Sequence, residues 1–164
     1  MSAHRLILSG LAALALAACA STAPVVAPGA DAVAPQPIDG HDWFLGDAGD
    51  HLSYGLNESD DVWLSMSCEA GTGSIEINQY LELGSDAAIA LESGGDTETW
   101  RAAAQPSELG DGQYLAARAG ADEPVFQRFR RLGWLAAYGP DRRVPMVAHP
   151  GSAPRIERFF VTCG

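Results

Sequence analysis

The chain has 164 residues, ten basic against twenty-one acidic side chains, a net charge of −11 and a 47% hydrophobic share. That share suits a folded body, and the negative charge argues against nucleic acid and anionic lipid as partners of that body. None of the ten basic residues is lysine, which removes Schiff-base chemistry and any P-loop, whose lysine is indispensable to the phosphate cradle.

The first element is "MSAHRLILSGLAALALAACAS". Arg5 supplies a short positive region. Leu6 to Ala18 form an apolar run of signal-peptide length, too short to span a bilayer. Leu16, Ala17 and Ala18 lead into a cleavage site lined by small side chains, and Cys19 takes the first position after it. This order resembles the lipobox of bacterial lipoproteins. The resemblance implies a diacylglycerol on the Cys19 thiol, cleavage before that residue and acylation of the new amine. One acyl chain binds a membrane only marginally, whereas several anchor a protein at about 0.8 kcal/mol per buried methylene. An ordinary secretory signal cut elsewhere, leaving Cys19 a spare thiol, is the alternative. Ala20 rather than Asp follows the cysteine; in the sorting rule of many Gram-negative lipoproteins this implies the periplasmic face of the cell outer membrane, with the inner membrane as the alternative.

Residues 1–18 therefore read as a signal peptide and residues 19–39 as a lipidated cysteine followed by a tether. The tether, "ASTAPVVAPGADAVAPQPI", carries four prolines and no aromatic residue, so it buries too little surface to offset its ordering entropy. Residues 40–164, 125 in number, suit a single β-rich periplasmic domain.

The body opens with "DGHDWFLGDAGDH", read as an irregular acidic loop with Trp43 and Phe44 packed on a sheet. His41 and His51 stand there among Asp39, Asp42, Asp47 and Asp50, but the spacing matches neither HExxH nor a DxDxDG calcium loop, so no metal and no cofactor is assigned. "DDVWLSMSC" alternates, with Val62, Leu64, Met66 and Cys68 on one face and Trp63, Ser65 and Ser67 on the other; "EAGTG" then turns the chain into "SIEINQYLEL". This predicts a β-hairpin. Asp60 and Asp61 at the strand start point to opposite faces and make a poor acid–base pair.

Short runs follow at intervals of about ten residues: "AAIALES", "TETWRAAA", "QYLAARA", "WLAAYG" and "RRVPMVA". Pro145 belongs on an edge or at a bulge. Two segments change period. In "DEPVFQRFRRLG", Asp122 or Glu123 caps a short helix with Pro124 in its first turn; in "GSAPRIERFFVTCG", Ser152 caps a second whose stripe is Ile156, Phe159, Phe160 and Cys163. The fold class is mainly β (α+β): an antiparallel sandwich or partly open barrel with two short helices, one C-terminal.

An exported chain meets an oxidising compartment, and with Cys19 given to lipid, Cys68 and Cys163 remain. Each closes an apolar stripe, one on a strand and one on the last helix, so a structural bridge between them inside the core is predicted. Two free thiols are the alternative.

The charge divides along the chain. Asp31 to Glu98 holds fifteen acids and no base, and Arg101 to Gly164 holds nine arginines against six acids. Complementary pairing of the halves within one domain explains this. Arg128, Arg130 and Arg131 on the first helix, with Arg142 and Arg143 in a later turn, are candidates for carboxylates of peptidoglycan or phosphates of lipopolysaccharide, or else form a solvated face. Trp63, Trp100 and Tyr80 fall on outer strand faces, where aromatics bind sugar or protein; coverage by the helices explains them equally well. The candidate ligand-binding residues are thus Arg128, Arg131, Trp63 and Trp100.

No GxSxG elbow is present and His149 reads as a loop residue, so no catalytic residue is assigned. The body loosely resembles small uncharacterised Gram-negative envelope lipoproteins, through "LSMSC", "FQRF" and the cysteine of the last helix. The expected function is that of a non-enzymatic binding or structural module, anchored to the membrane through lipid, with a cationic protein or peptidoglycan as partner and no nucleic acid. One alternative is an inhibitor of cationic wall-degrading enzymes such as lysozyme, although the S-G-x-x-Y loop of such inhibitors is missing. The other is a periplasmic hydrolase with an unfamiliar site.

Overall fold

The computed structural model describes residues 34–82, 86–108 and 110–164, so Cys19 and the signal segment lie outside the described residues. The chain forms β1 (His41–Leu45), β2 (His51–Leu56), β3 (Val62–Cys68), β4 (Ser74–Glu82), β5 (Ala88–Ser93), β6 (Asp96–Arg101), β7 (Ala103–Pro106) and β8 (Gly112–Gly120). Helix α1 (Pro124–Leu132), strands β9 (Trp134–Tyr138) and β10 (Arg143–Val147), and helix α2 (Ala153–Cys163) complete it. A six-stranded antiparallel sheet runs β1-β2-β3-β4-β8-β7, and a four-stranded one runs β10-β9-β5-β6. The fold is mainly β, with two sheets and a C-terminal helix, as the alternating runs indicate.

Period-two burial supplies the core. Leu52, Tyr54, Leu64, Met66, Ile75 and Ile77 from the larger sheet meet Ile89, Leu91, Leu135 and Met146 from the smaller, all fully buried. Phe126 and Phe129 of α1 and Phe159 of α2 enter the same cluster. The run "TETWRAAA" is not one strand: the chain leaves the smaller sheet at buried Ala102 and enters the larger as β7, so one run serves both sheets at a corner. Pro145 lies on β10, an edge strand, where its missing N–H costs no ladder bond.

The leading acidic segment is a hairpin, β1–β2, and not an irregular loop. Its strands are short and rich in charge and glycine, which hides their alternation; Trp43, Leu52 and Tyr54 are nevertheless fully buried.

Both helices begin where the sequence places them, but neither N-cap side chain bonds its own helix. The Glu98 carboxylate of β6 accepts the Val125 N–H at 2.9 Å and so caps α1 from another element. Asp42 of β1 does similar work beside α2, accepting from the His149 N–H at 3.1 Å and from the Ser152 hydroxyl. Gly133 closes α1 in the left-handed conformation, φ 75°, donating its N–H to the Phe129 carbonyl.

Cys68 and Cys163 are bonded, with S–S 2.04 Å and Cα–Cα 5.6 Å. Around the bridge, the Gly71 N–H donates to the Thr162 carbonyl at 2.9 Å and the Gly73 N–H to the Cys163 carbonyl at 2.8 Å. The β3–β4 turn thereby caps the end of α2. Its glycines carry positive φ, 71° and 67°, as the turn requires.

On the outer face of the smaller sheet, Glu92 accepts from Arg143 Nε at 2.5 Å and Nη2 at 3.0 Å, and from the Tyr138 hydroxyl at 2.7 Å. The Arg143 hydrogen bond, opposed by burial and reinforced by Tyr138, holds the Glu92 carboxyl below its ordinary value of 4.5.

Two predictions follow from these contacts. Cys68→Ser or Cys163→Ser opens a loop of 95 residues, and the chain-entropy relation gives a loss of about 4–5 kcal/mol. Urea unfolding of each variant against wild type measures it. A depressed glutamate contributes stability that is complete above its unfolded pKa and lost as pH falls through the lower native value. Glu92→Gln should therefore cost about 1.5–3 kcal/mol at neutral pH and make the decline below pH 4.5 shallower than in wild type. Unfolding curves of both proteins across that range provide the check.

Candidate functional site

The outer face of the six-stranded sheet carries a groove lined by aromatic and polar side chains. Cross-strand register aligns Ser53, Ser65, Asn78, Ala116 and Ala103 in one row across five strands. Small side chains make that row a trough. On one side stand Tyr80 and Tyr114, directly opposite each other on β4 and β8, ring centroids 5.3 Å apart in an edge-on arrangement. On the other side His51, Ser67, Glu76 and Arg118 share a row, with Arg118 and Glu76 ion-paired at 3.4 Å.

The two tyrosines are 42% and 46% exposed. Tyr80 lies across Gly112, where a Cβ would overlap its ring. A glycine on β8 thus sets the pose of a tyrosine on β4. Beside the pair, His51, Asp60, Asp61, Ser65 and Asn78 line a depression of about 540 Å³.

The rim of this groove depends on a bulge. Tyr54 pairs with Leu64 and Gly55 with Val62, so Trp63 is left over. Gly55 permits this, since a Cβ there would collide with the Asp61 carbonyl oxygen. Freed from the ladder, Trp63 turns toward His41 and Tyr54, at ring distances of 4.6 and 5.8 Å, and its Nε1–H donates to Asp61 Oδ1 at 3.0 Å. Burial raises the pKa of the Tyr54 hydroxyl beneath it. The tryptophan therefore holds the Asp61 carboxylate in place at the groove edge.

Past Tyr80 the groove runs into a narrower cleft of about 190 Å³ between the sheets. Asp61, Gln79 and Leu81 face it from the larger sheet and its connections, and Val144, Met146 and Arg142 from β10 and the β9–β10 turn. Gln79 is 5% exposed; its Nε2 donates to the Tyr138 carbonyl at 3.3 Å, while its Oε1 has no partner. Asp61 and Arg142 form no ion pair with each other or with any described residue.

The arginine and tryptophan candidates fall elsewhere or serve packing. Arg128 donates to the Ser93 carbonyl at 2.7 Å and to Glu98 at 3.2 Å, binding α1 to the β5–β6 hairpin, and its side chain is 17% exposed. Trp100 stacks on Phe126 at 5.9 Å under the same helix, so it faces the core rather than an outer surface. Arg131 is exposed near the end of α1. Trp63 borders the cleft but lies against the core at the bulge, not on the outer face that strict alternation assigns it. These four residues do not make one site.

The histidines and acids of the leading segment separate as well. His51 joins the groove; His41 packs on Trp63; Asp42 receives His149, Ser152 and Arg155. Of the groove residues, Tyr80, Asp61 and Arg142 are singled out by sequence, whereas Tyr114 and Asn78 are not. Their signal is the match of β4 to β8, a pairing between strands thirty or more residues apart that no local pattern announces.

No family model matches the chain, and no curated protein or solved structure matches it significantly. Its chemistry is therefore read from the groove itself. Paired tyrosine faces stack on the C–H face of a sugar ring, and the Asn78 amide, Ser65 hydroxyl and Asp60 and Asp61 carboxylates offer acceptors and donors to its hydroxyls.

Proposed function

We propose that the chain is a non-enzymatic envelope lipoprotein, anchored by lipid on Cys19, whose folded body binds the glycan strands of peptidoglycan in the Tyr80–Tyr114 groove. The observation that carries this reading is the tyrosine pair, exposed side by side next to a trough of small side chains. A lone exposed aromatic is ordinary; two in register, with one seated on a glycine, are positioned. An open groove also suits a strand of linked rings that passes through without either end being enclosed. The tether of residues 19–39 spans roughly 60 Å if extended, at ~3 Å per residue, which carries the body from the membrane toward the wall.

Two experiments test the reading. Sedimentation of the purified chain with insoluble peptidoglycan sacculi should retain the protein, and Tyr80→Ala or Tyr114→Ala should each weaken retention about 2- to 10-fold, as expected for ~0.5–1.5 kcal/mol of stacking. Unchanged retention of a folded double variant would overturn the groove; inhibition of a lysozyme by that same variant would favour the enzyme-inhibitor alternative. In cells, Cys19→Ser should move the protein from the membrane fraction to the soluble one. Persistence in the membrane would defeat the anchor.

A further inference from the structure

The cleft between the sheets holds two opposite charges that do not meet. Five described arginines, Arg118, Arg128, Arg130, Arg143 and Arg155, are ion-paired. Arg101, Arg131, Arg142 and Arg158 are not, and of these four Arg142 is the one that lines the cleft, which Asp61 also borders. Asp61 belongs to the β2–β3 connection of the larger sheet and Arg142 to the β9–β10 turn of the smaller, so a ligand touching both bridges the sandwich.

We propose that this cleft takes a zwitterionic amino-acid or peptide unit, its ammonium against Asp61 and its carboxylate against Arg142. The class follows from exclusion of the others. An anion would meet Arg142 but be repelled by Asp61 and, on the groove side, by Asp60; a cation would meet Asp61 but face Arg142. Only a ligand carrying both charges gains at both ends, and the apolar wall of Val62, Leu81, Val144 and Met146 offers its side chain a surface to cover.

Two further features fit. The Oε1 of Gln79 is a buried acceptor without a donor at the cleft wall, a condition that costs about 1–3 kcal/mol. A peptide N–H supplies that donor. The volume, about 190 Å³, equals roughly six waters at ~30 Å³ each, room for one or two small residues and not for a polymer. The proposal does not depend on the peptidoglycan reading: a peptide joined to a glycan through its amine has no terminal ammonium, so the ligand is a free peptide or amino acid and not a branch of a bound strand.

Calorimetric titration of the purified full chain with alanyl-alanine, its N-acetylated form and its C-terminal amide tests the cleft. The dipeptide should bind with a Kd of about 1 mM or tighter, and each capped form about tenfold or more weaker. Arg142→Gln should abolish discrimination against the amide and keep that against the acetylated form. Asp61→Asn should do the converse, its amide oxygen still accepting the Trp63 N–H. Absence of saturable binding, capped forms as tight as the free dipeptide, or variants that preserve both distinctions would overturn the proposal. Sacculus retention governed by Tyr80 and Tyr114 with no dipeptide binding would sink the cleft and spare the groove; dipeptide binding without retention would do the opposite.

Discussion

The clasp between the β3–β4 turn and the end of α2 is the constraint on which the rest of the fold leans. A disulfide and two backbone hydrogen bonds converge there, joining residues 95 apart. At its other end α2 is held by β1, where Arg155 donates to the Trp43 carbonyl at 3.0 Å and Ser152 bonds Asp42. A helix of eleven residues is marginal alone. Fixed at both ends, it presses Phe159 and Phe160 into the core and secures β1, an edge strand with only one neighbour.

From β1 the dependence passes to the groove. β1 pairs with β2, and β2 carries the glycine whose missing Cβ admits the bulge opposite Trp63. The bulge turns the indole away from the outer face, and the indole fixes Asp61. Had Trp63 kept its place in the ladder, it would stand in the row of Tyr80 and Tyr114 and fill the trough they border. The groove exists because one aromatic left the row that two others keep.

The same feature explains what could be read from the sequence. Alternation marks β3, β4 and the later runs, although "TETWRAAA" divides between β6 and β7, and three-residue spacing marks both helices, because each signal is local. Pairing Cys68 with Cys163 required no long-range knowledge beyond two apolar stripes that each end in a cysteine. The β1–β2 hairpin is not legible in the sequence because five- and six-residue strands interrupted by aspartate and glycine show too little period. Trp63 and Trp100 were assigned to outer faces by period two, and each is overruled by a contact the period does not contain: a bulge for one, the stacked ring of Phe126 for the other. Tyr114 gained meaning only once β8 was known to lie beside β4.

Charge completes the account. Four of the five paired arginines reach acids of the first half, at Glu76, Asp96 and Glu98, Glu92 and Asp42, while Arg130 pairs with Glu157 within the second half. Five of the fifteen acids of the first half are joined in this way to arginines of the second. Exposed pairs such as Arg118–Glu76 contribute at most about 1 kcal/mol each, so they orient neighbouring elements more than they stabilise them. Asp61 and Arg142 are among the charges left unpaired, one from each sheet's connections, at the place where the groove narrows. Both side chains are exposed, so leaving them unjoined costs the free protein little, and each stays open to a group of opposite charge.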